Sequence, residues 1–135
     1  AYGQSRVCVA SVERPVGLRD SIPVGTEFSM KAGSAAQVLL AWQDHLSLAG
    51  GLQEAAFSSA TLASVRRRGW AQSVGEREAG VASVSAPVRN GQGPVIAAIS
   101  ISGPVERLTR NPGRYHGATL VTAGNRLSKI LEYDG

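Results

Sequence analysis

The stretch GVASVSAPVRNGQGPVIAAISISGP, residues 80 to 104, decides how this chain is read. Each half alternates as a strand does, with successive side chains going to opposite faces of a sheet. In the first half Ala82, Val84 and Ala86 share one face, while Val81, Ser83 and Ser85 share the other. In the second half Ile99 and Ile101 point one way, and Ser100 and Ser102 point the other. Between them Asn90-Gly91-Gln92-Gly93 is a Gly-containing connection of hairpin length, so segments 81–89 and 94–102 are expected to pair antiparallel. Both strands then carry small hydroxyls opposite their aliphatic residues. If the aliphatic sides pack on helices, the face with Val81, Ser83, Ser100 and Ser102 has room and groups that both donate and accept, as a small-ligand pocket does. A solvated sheet face explains the same residues. The pattern alone leaves both readings open.

Working outward, the other elements are short and punctuated. Residues 5 to 14 read as a strand, followed by a turn region marked by Pro15, Gly17, Pro23 and Gly25. Good helix formers from Ser34 to about Trp42 predict a short helix, capped by Ser34 or Ser29. Residues 43 to 58 read mostly as loop, broken by Gly50-Gly51. A second helix is expected from about Ser59 to Arg68, with Leu62 and Val65 inward and Gly69 as its stop. Residues 70 to 73 fit a short strand. The C-terminal helix is the clearest: Asn111-Pro112 starts it, and Leu120, Ala123, Gly124, Leu127 and Leu131 recur on one face. The order is that of an α+β domain with an antiparallel sheet.

Composition narrows the function classes. At 135 residues the chain is long enough for one core but not two. No apolar run approaches the roughly 18 residues of a membrane helix, so no membrane partner is expected. The first residue is Ala1 and the chain opens almost within a strand, which reads as a piece of a longer polypeptide. Cys8, the single cysteine, has no internal disulfide partner and is expected to be a buried small hydrophobe between Val7 and Val9. A reducing cytoplasm is the simplest setting.

The net charge of +4 raises nucleic acid as a partner, but 12 of the 14 basic residues are Arg and only Arg66-Arg67-Arg68 is dense. That cluster falls in a last helical turn, where cations are favoured by the helix dipole. No groove-entering motif or zinc-finger spacing accompanies it.

A catalytic site is not visible. His45 and His116 share no metal-ligand spacing with Cys8, no serine lies in a GxSxG elbow, and there is no phosphate loop or dinucleotide fingerprint. Glu76 and Glu78 form a possible pair, but two carboxylates in a Gly-bounded loop are ordinarily solvated. No catalytic residue, metal or cofactor is expected, and the chain is read as a non-enzyme.

Residues 80 to 104 strongly resemble the heart of the effector-binding domain of the IclR family of bacterial transcription regulators. The likeness runs back through VRRRGWAQSVGEREAG, a basic-Gly-aromatic turn followed by Gly-Glu, and through LRDSIPVGTEFSMKAGSAAQVLLAW, and covers about residues 5 to 131. Two departures stand out. Ala36-Gln37 replaces the family's usual Gly-Lys pair, and the loop from 43 to 58 looks short. The family's N-terminal winged helix-turn-helix domain has no counterpart in these residues.

The resemblance implies a curved antiparallel sheet flanked by helices, GAF-like or profilin-like, spanning residues 1–135 as an effector-binding domain. It implies a bacterial cytoplasmic regulator that assembles as a homo-oligomer, a dimer or tetramer, and touches DNA only through the N-terminal domain. Matched by motif, effector contacts fall on Ser34 and Ala35, Val81 and Ser83, and Ser100 and Ser102. Asp20, after the Leu-Arg, and Ser73, before the Gly-Glu, match lining positions. Elementary physics adds one point: a helix starting at Ser34 directs free N–H groups outward, toward a carboxylate. The expected effector is a small organic acid. The competing readings are a dimerisation module without ligand and, third, a small-molecule enzyme.

Overall fold

The computed structural model describes residues 5–11, 24–30, 32–42, 58–76, 78–91 and 93–134. Among the described residues five strands, β1 (Ser5–Val7), β2 (Glu27–Ser29), β3 (Ala71–Val74), β4 (Val81–Arg89) and β5 (Val95–Pro104), accompany four helices. These are α1 (Ser34–Ala41), α2 (Ser59–Arg68), the single turn α3 (Val105–Leu108) and α4 (Pro112–Asp134). β1 and β2 pair antiparallel, and β3, β4 and β5 form a second antiparallel sheet in that order. The α+β class and the hairpin are as the sequence predicts; β5 runs two residues further than expected.

The register of the hairpin sets everything that follows. Ser83 pairs with Ser102 and Ser85 with Ser100, while Val84 pairs with Ile101 and Ala86 with Ile99. On the other side of β4, Ser73 of β3 pairs with Ser83 and Ala71 with Ser85. Cross-strand partners lie on the same face, so the serines converge on one face and the aliphatic residues on the other.

The aliphatic face is covered by α4. Val84, Ala86 and Leu120 form a buried cluster, with Trp70, Ile99, Ile101 and Val121 packed against it. The helix comes close because its inner stripe is small. A Cβ on Gly113 would stand 1.9 Å from Trp70 Cζ3, and one on Gly117 would stand 2.6 Å from Trp70 Nε1, so the indole occupies the space of two missing side chains. The inward stripe therefore differs from the expected one: Leu127 is 39% exposed, and Ser128 is buried in its place. Ser128 Oγ accepts the Arg89 N–H at 2.8 Å and donates to Gly124 O at 2.8 Å. It thereby satisfies a donor next to the register shift at Val88/Arg89, where a bulge frees a ladder group.

The serine face is covered by α1, and α2 packs on α1. Ala36, Val38, Leu40 and Ala41 of α1 join Leu62 and Val65 of α2, together with Met30 and Ala71, in a second core. α2 has the expected ends. Ser58 Oγ accepts the Thr61 N–H at 3.2 Å, and Gly69 closes the helix with φ 85°. α1 does not: neither serine caps it, its N-cap is Gly33 with φ 98° and ψ 157°, a backbone only glycine adopts without strain, and no side chain accepts from its first turn.

The N-terminal strand is shorter than expected, and Cys8 is half-buried between an exposed Val7 and a Val9 that is 81% exposed. Cys8 is thus not a core residue. Residues 12–14 of that expected strand, and His45, lie outside the described residues.

Candidate functional site

The first residue of α1 turns its hydroxyl onto the sheet. Ser34 Oγ lies 2.7 Å from Ser83 Oγ and 2.7 Å from Ser85 Oγ. Ser83 Oγ in turn meets Ser73 Oγ at 2.8 Å, and Ser85 Oγ meets Ser100 Oγ at 2.5 Å. The result is one line of hydroxyls, Ser73–Ser83–Ser34–Ser85–Ser100, across three strands and a helix. The first four residues are buried, and Ser100 is exposed. Each hydroxyl carries one proton and two acceptor lone pairs. Four contacts among five hydroxyls consume four protons, so one O–H is left to donate outside the line. Because the line can run either way, that donor can stand at the solvent end, on Ser100.

A second polar group adjoins the same helix. Glu76, half-buried in the turn after β3, accepts the Gly33 N–H at 3.1 Å on Oε1. Its two oxygens also accept from Gln37 Nε2, at 3.3 and 3.1 Å. Gln37 Nε2 donates to the Gln72 carbonyl at 3.2 Å as well. On the far face of β3, Gln72 Oε1 accepts the Gly113 N–H of α4 at 2.9 Å. Glu76 is therefore not the solvated loop carboxylate that sequence implies. It sits at the start of α1, where the helix dipole favours negative charge.

Of the residues matched by motif, the structure brings Ser34, Ser73, Ser83 and Ser100 into one bonded line. Ser102 lies on the same face, opposite Ser83. Ala35 is the second residue of α1 and is half-buried; Val81 is half-buried at the start of β4, opposite Pro104. Asp20 lies outside the described residues. Three contributors were not among the matched positions. Ser85 is fully buried between Ser34 and Ser100 in the line, and alternation with Ser83 puts it on the same face. Gln37 stands out in the sequence as a departure from the family's Gly-Lys pair and Glu76 as one of two loop carboxylates, but their contact depends on α1 packing beside the turn after β3. Over Ser73, Ser83 and Ser85 the face is closed to solvent by α1, while at Ser100 on β5 it is exposed.

The basic cluster lies on the surface, each guanidinium tied to a nearby group. Arg66 donates to Ala41 O at 2.6 Å, Arg67 to Ser64 Oγ at 2.8 Å, and Arg68 to Trp70 O at 2.8 Å. The Arg68 guanidinium also stacks 3.9 Å from the centre of the Trp70 ring. That partial burial, followed by the charge of Arg67, lowers its pKa. Among the described residues no group of three or more His, Cys, Asp or Glu could hold a metal ion, and no helix is long and apolar enough to cross a membrane.

The three-stranded sheet thus carries α4 on one face and, on the other, α1 joined to a line of hydroxyls. The family model for the bacterial transcriptional regulator IclR C-terminal domain matches residues 2–129. The chain is 32% identical over 133 residues to a glycerol operon regulatory protein of Streptomyces griseus, covering 90% of this chain and 52% of that protein. It is 30% identical over 144 residues to the transcriptional regulator XynR of Escherichia coli, covering 97% and 57%. The crystal structure of the Thermotoga maritima IclR protein superposes with a TM-score of 0.85 at 20% identity, covering 98% of this chain and 59% of that one, which shows the fold.

The chain belongs to the IclR family of bacterial transcription regulators and corresponds to their C-terminal domain. It spans a little over half the length of those relatives. Those relatives are named as a glycerol operon regulatory protein and a transcriptional regulator.

Proposed function

We propose that residues 1–135 form the effector-binding domain of a cytoplasmic regulator, which takes a small carboxylate-bearing effector on the serine face beneath α1. In this reading, occupancy of that face changes DNA binding by a winged helix-turn-helix domain that precedes these residues in the full protein. The protein works as a homo-oligomer, a dimer or tetramer, because paired half-sites on DNA mirror a two-fold protein. The observation that carries the reading is the line of five hydroxyls meeting the start of α1, with one proton to spare. That donor, with the first-turn N–H groups that a helix leaves without intrahelical acceptors, matches the oxygens of a carboxylate. Glu76 supports the chemistry, since a carboxylate of the chain already rests at this helix end. The contacts assigned to the effector are Ser34, Ala35, Ser73, Val81, Ser83, Ser100 and Ser102, with Asp20.

The coupling to DNA follows from linkage: an effector shifts DNA affinity only by as much as its own affinity differs between the two states, and the effect is reciprocal. The closed face favours one competing reading, a dimerisation module that has no ligand. Saturable binding separates the two. In thermal melts, a carboxylate at about 100 times its Kd stabilises the native chain by about 2.7 kcal/mol. Ser83→Leu fills the face and abolishes that shift while the chain still melts cooperatively. An unchanged ligand response in the variant refutes the assignment.

A further inference from the structure

Among the described residues Gln37 Oε1 is a buried acceptor with no hydrogen-bond partner, on a residue only 1% exposed. An amide can be turned end for end, but the surroundings fix this one. Nε2 faces the Glu76 carboxylate and the Gln72 carbonyl; turned over, the amide would set a third acceptor against those two and leave its own donor unused. The orphan oxygen is thus a property of the site, and buried acceptors of this kind are costly unless something donates to them. Gln37 Nε2 and the Gly33 N–H meet the same Glu76 carboxylate, and Gly33 adjoins Ser34, so the amide sits beside the start of α1, next to the hydroxyl line. Glu76, for its part, is met by two neutral donors, the Gly33 N–H and Gln37 Nε2. The start of α1 therefore offers both kinds of group side by side: donors in its first turn and the hydroxyl line, and acceptors at Gln37 and Glu76.

We propose that Gln37 and Glu76 read a second group on the effector, a hydrogen-bond donor carried close to its carboxylate, so that the effector is a hydroxy or amino acid and not a plain carboxylic acid. This rests on the reading of the serine face as an effector site. A plain acid satisfies the donors at the helix start and leaves Gln37 Oε1 orphaned. A neighbouring hydroxyl or ammonium group supplies the missing donor, and an ammonium is further attracted by the Glu76 charge.

The test is calorimetric titration of the chain with matched three-, four- and six-carbon sets: the unsubstituted acid, its 2-hydroxy form and its 2-amino form. Within a set, a donor-bearing acid should bind roughly tenfold tighter than the unsubstituted one, the effect of satisfying one buried acceptor. Which of the two wins distinguishes hydroxyl from ammonium. Gln37→Lys keeps a donor for Glu76 and for the Gln72 carbonyl, removes the acceptor and adds a positive charge. It should shrink the preference to within about twofold, a few tenths of the energy of a tenfold change. Gln37→Met, close in volume and uncharged, should do the same and controls for the attraction of a lysine for any acid. Equal binding of plain and donor-bearing acids to the native chain, or a preference that survives both variants, overturns the proposal and leaves the effector site standing. Failure of every acid to bind overturns the site itself.

Discussion

β4 is closed to solvent on both faces, by unlike means. On the side of Ala82, Val84 and Ala86, helix α4 settles so close that glycines take the place of side chains and the Trp70 indole fills the space they leave. On the side of Ser83 and Ser85, helix α1 is joined through hydroxyls, each of which has a bond to exchange. Apolar contact at crystal-like density is specific in shape and tolerates no addition. Hydroxyl contacts are directional and individually modest, and an incoming polar ligand can replace them without leaving a group unpaired. One face is built to hold the sheet; the other can hold something else.

The largest test of this contrast lies on the α4 side. A Cβ on Gly124 would stand 2.4 Å from the Pro87 carbonyl oxygen, which is backbone and cannot step aside. Gly124→Ala should destabilise the chain by about 3 kcal/mol in chemical denaturation, the upper range for overpacking a core. Little loss of stability would mean that α4 does not sit as closely as described. Next, Ser34→Ala removes the centre of the hydroxyl line and leaves Ser83 and Ser85 each short of a partner. It should cost about 2 kcal/mol, and the loss should be non-additive with Ser85→Ala, because the two share a bond. Additive losses would mean the serines act separately.

Ser100→Ala, at the exposed end of the line, should cost no more than about 0.5 kcal/mol, since water replaces the lost partner. It should still weaken carboxylate binding, because it removes the outermost donor. A variant that loses stability but not affinity would reverse the roles assigned to the two ends. A control away from both faces of β4 is Arg68, stacked on Trp70. Arg68→Ala should cost about 0.5–1 kcal/mol, the range for an exposed cation–π pair, and leave effector binding unchanged.

How far the sequence revealed this varies with the kind of signal. The hairpin was legible because period-two alternation and a Gly-bearing connection agree, and α2 because Leu62 and Val65 share a face and Gly69 is a chemically distinct stop; its Ser58 cap shows only in the fold. The strand Glu27–Ser29 was not, since three residues between turns carry no period. Leu127 was placed inward because apolar spacing cannot show that a helix packs through its glycines. The serine line was half legible: alternation put Ser83, Ser85, Ser100 and Ser102 on one face, but only the fold shows Ser34 arriving from above. Gln37 and Glu76 are brought together by α1 lying against the turn after β3, a contact between residues 39 positions apart, which no local pattern encodes.

The central claim is that the serine face, and not the α4 face, receives the effector. Amide chemical shifts followed by NMR during titration with a binding carboxylate test it most directly. The account predicts saturable shifts at Ser34, Ala35, Ser83, Ser85 and Ser100, with Leu120, Gly124 and Ser128 of α4 moving little. Shifts concentrated on α4 with Ser34 and Ser83 still would contradict it.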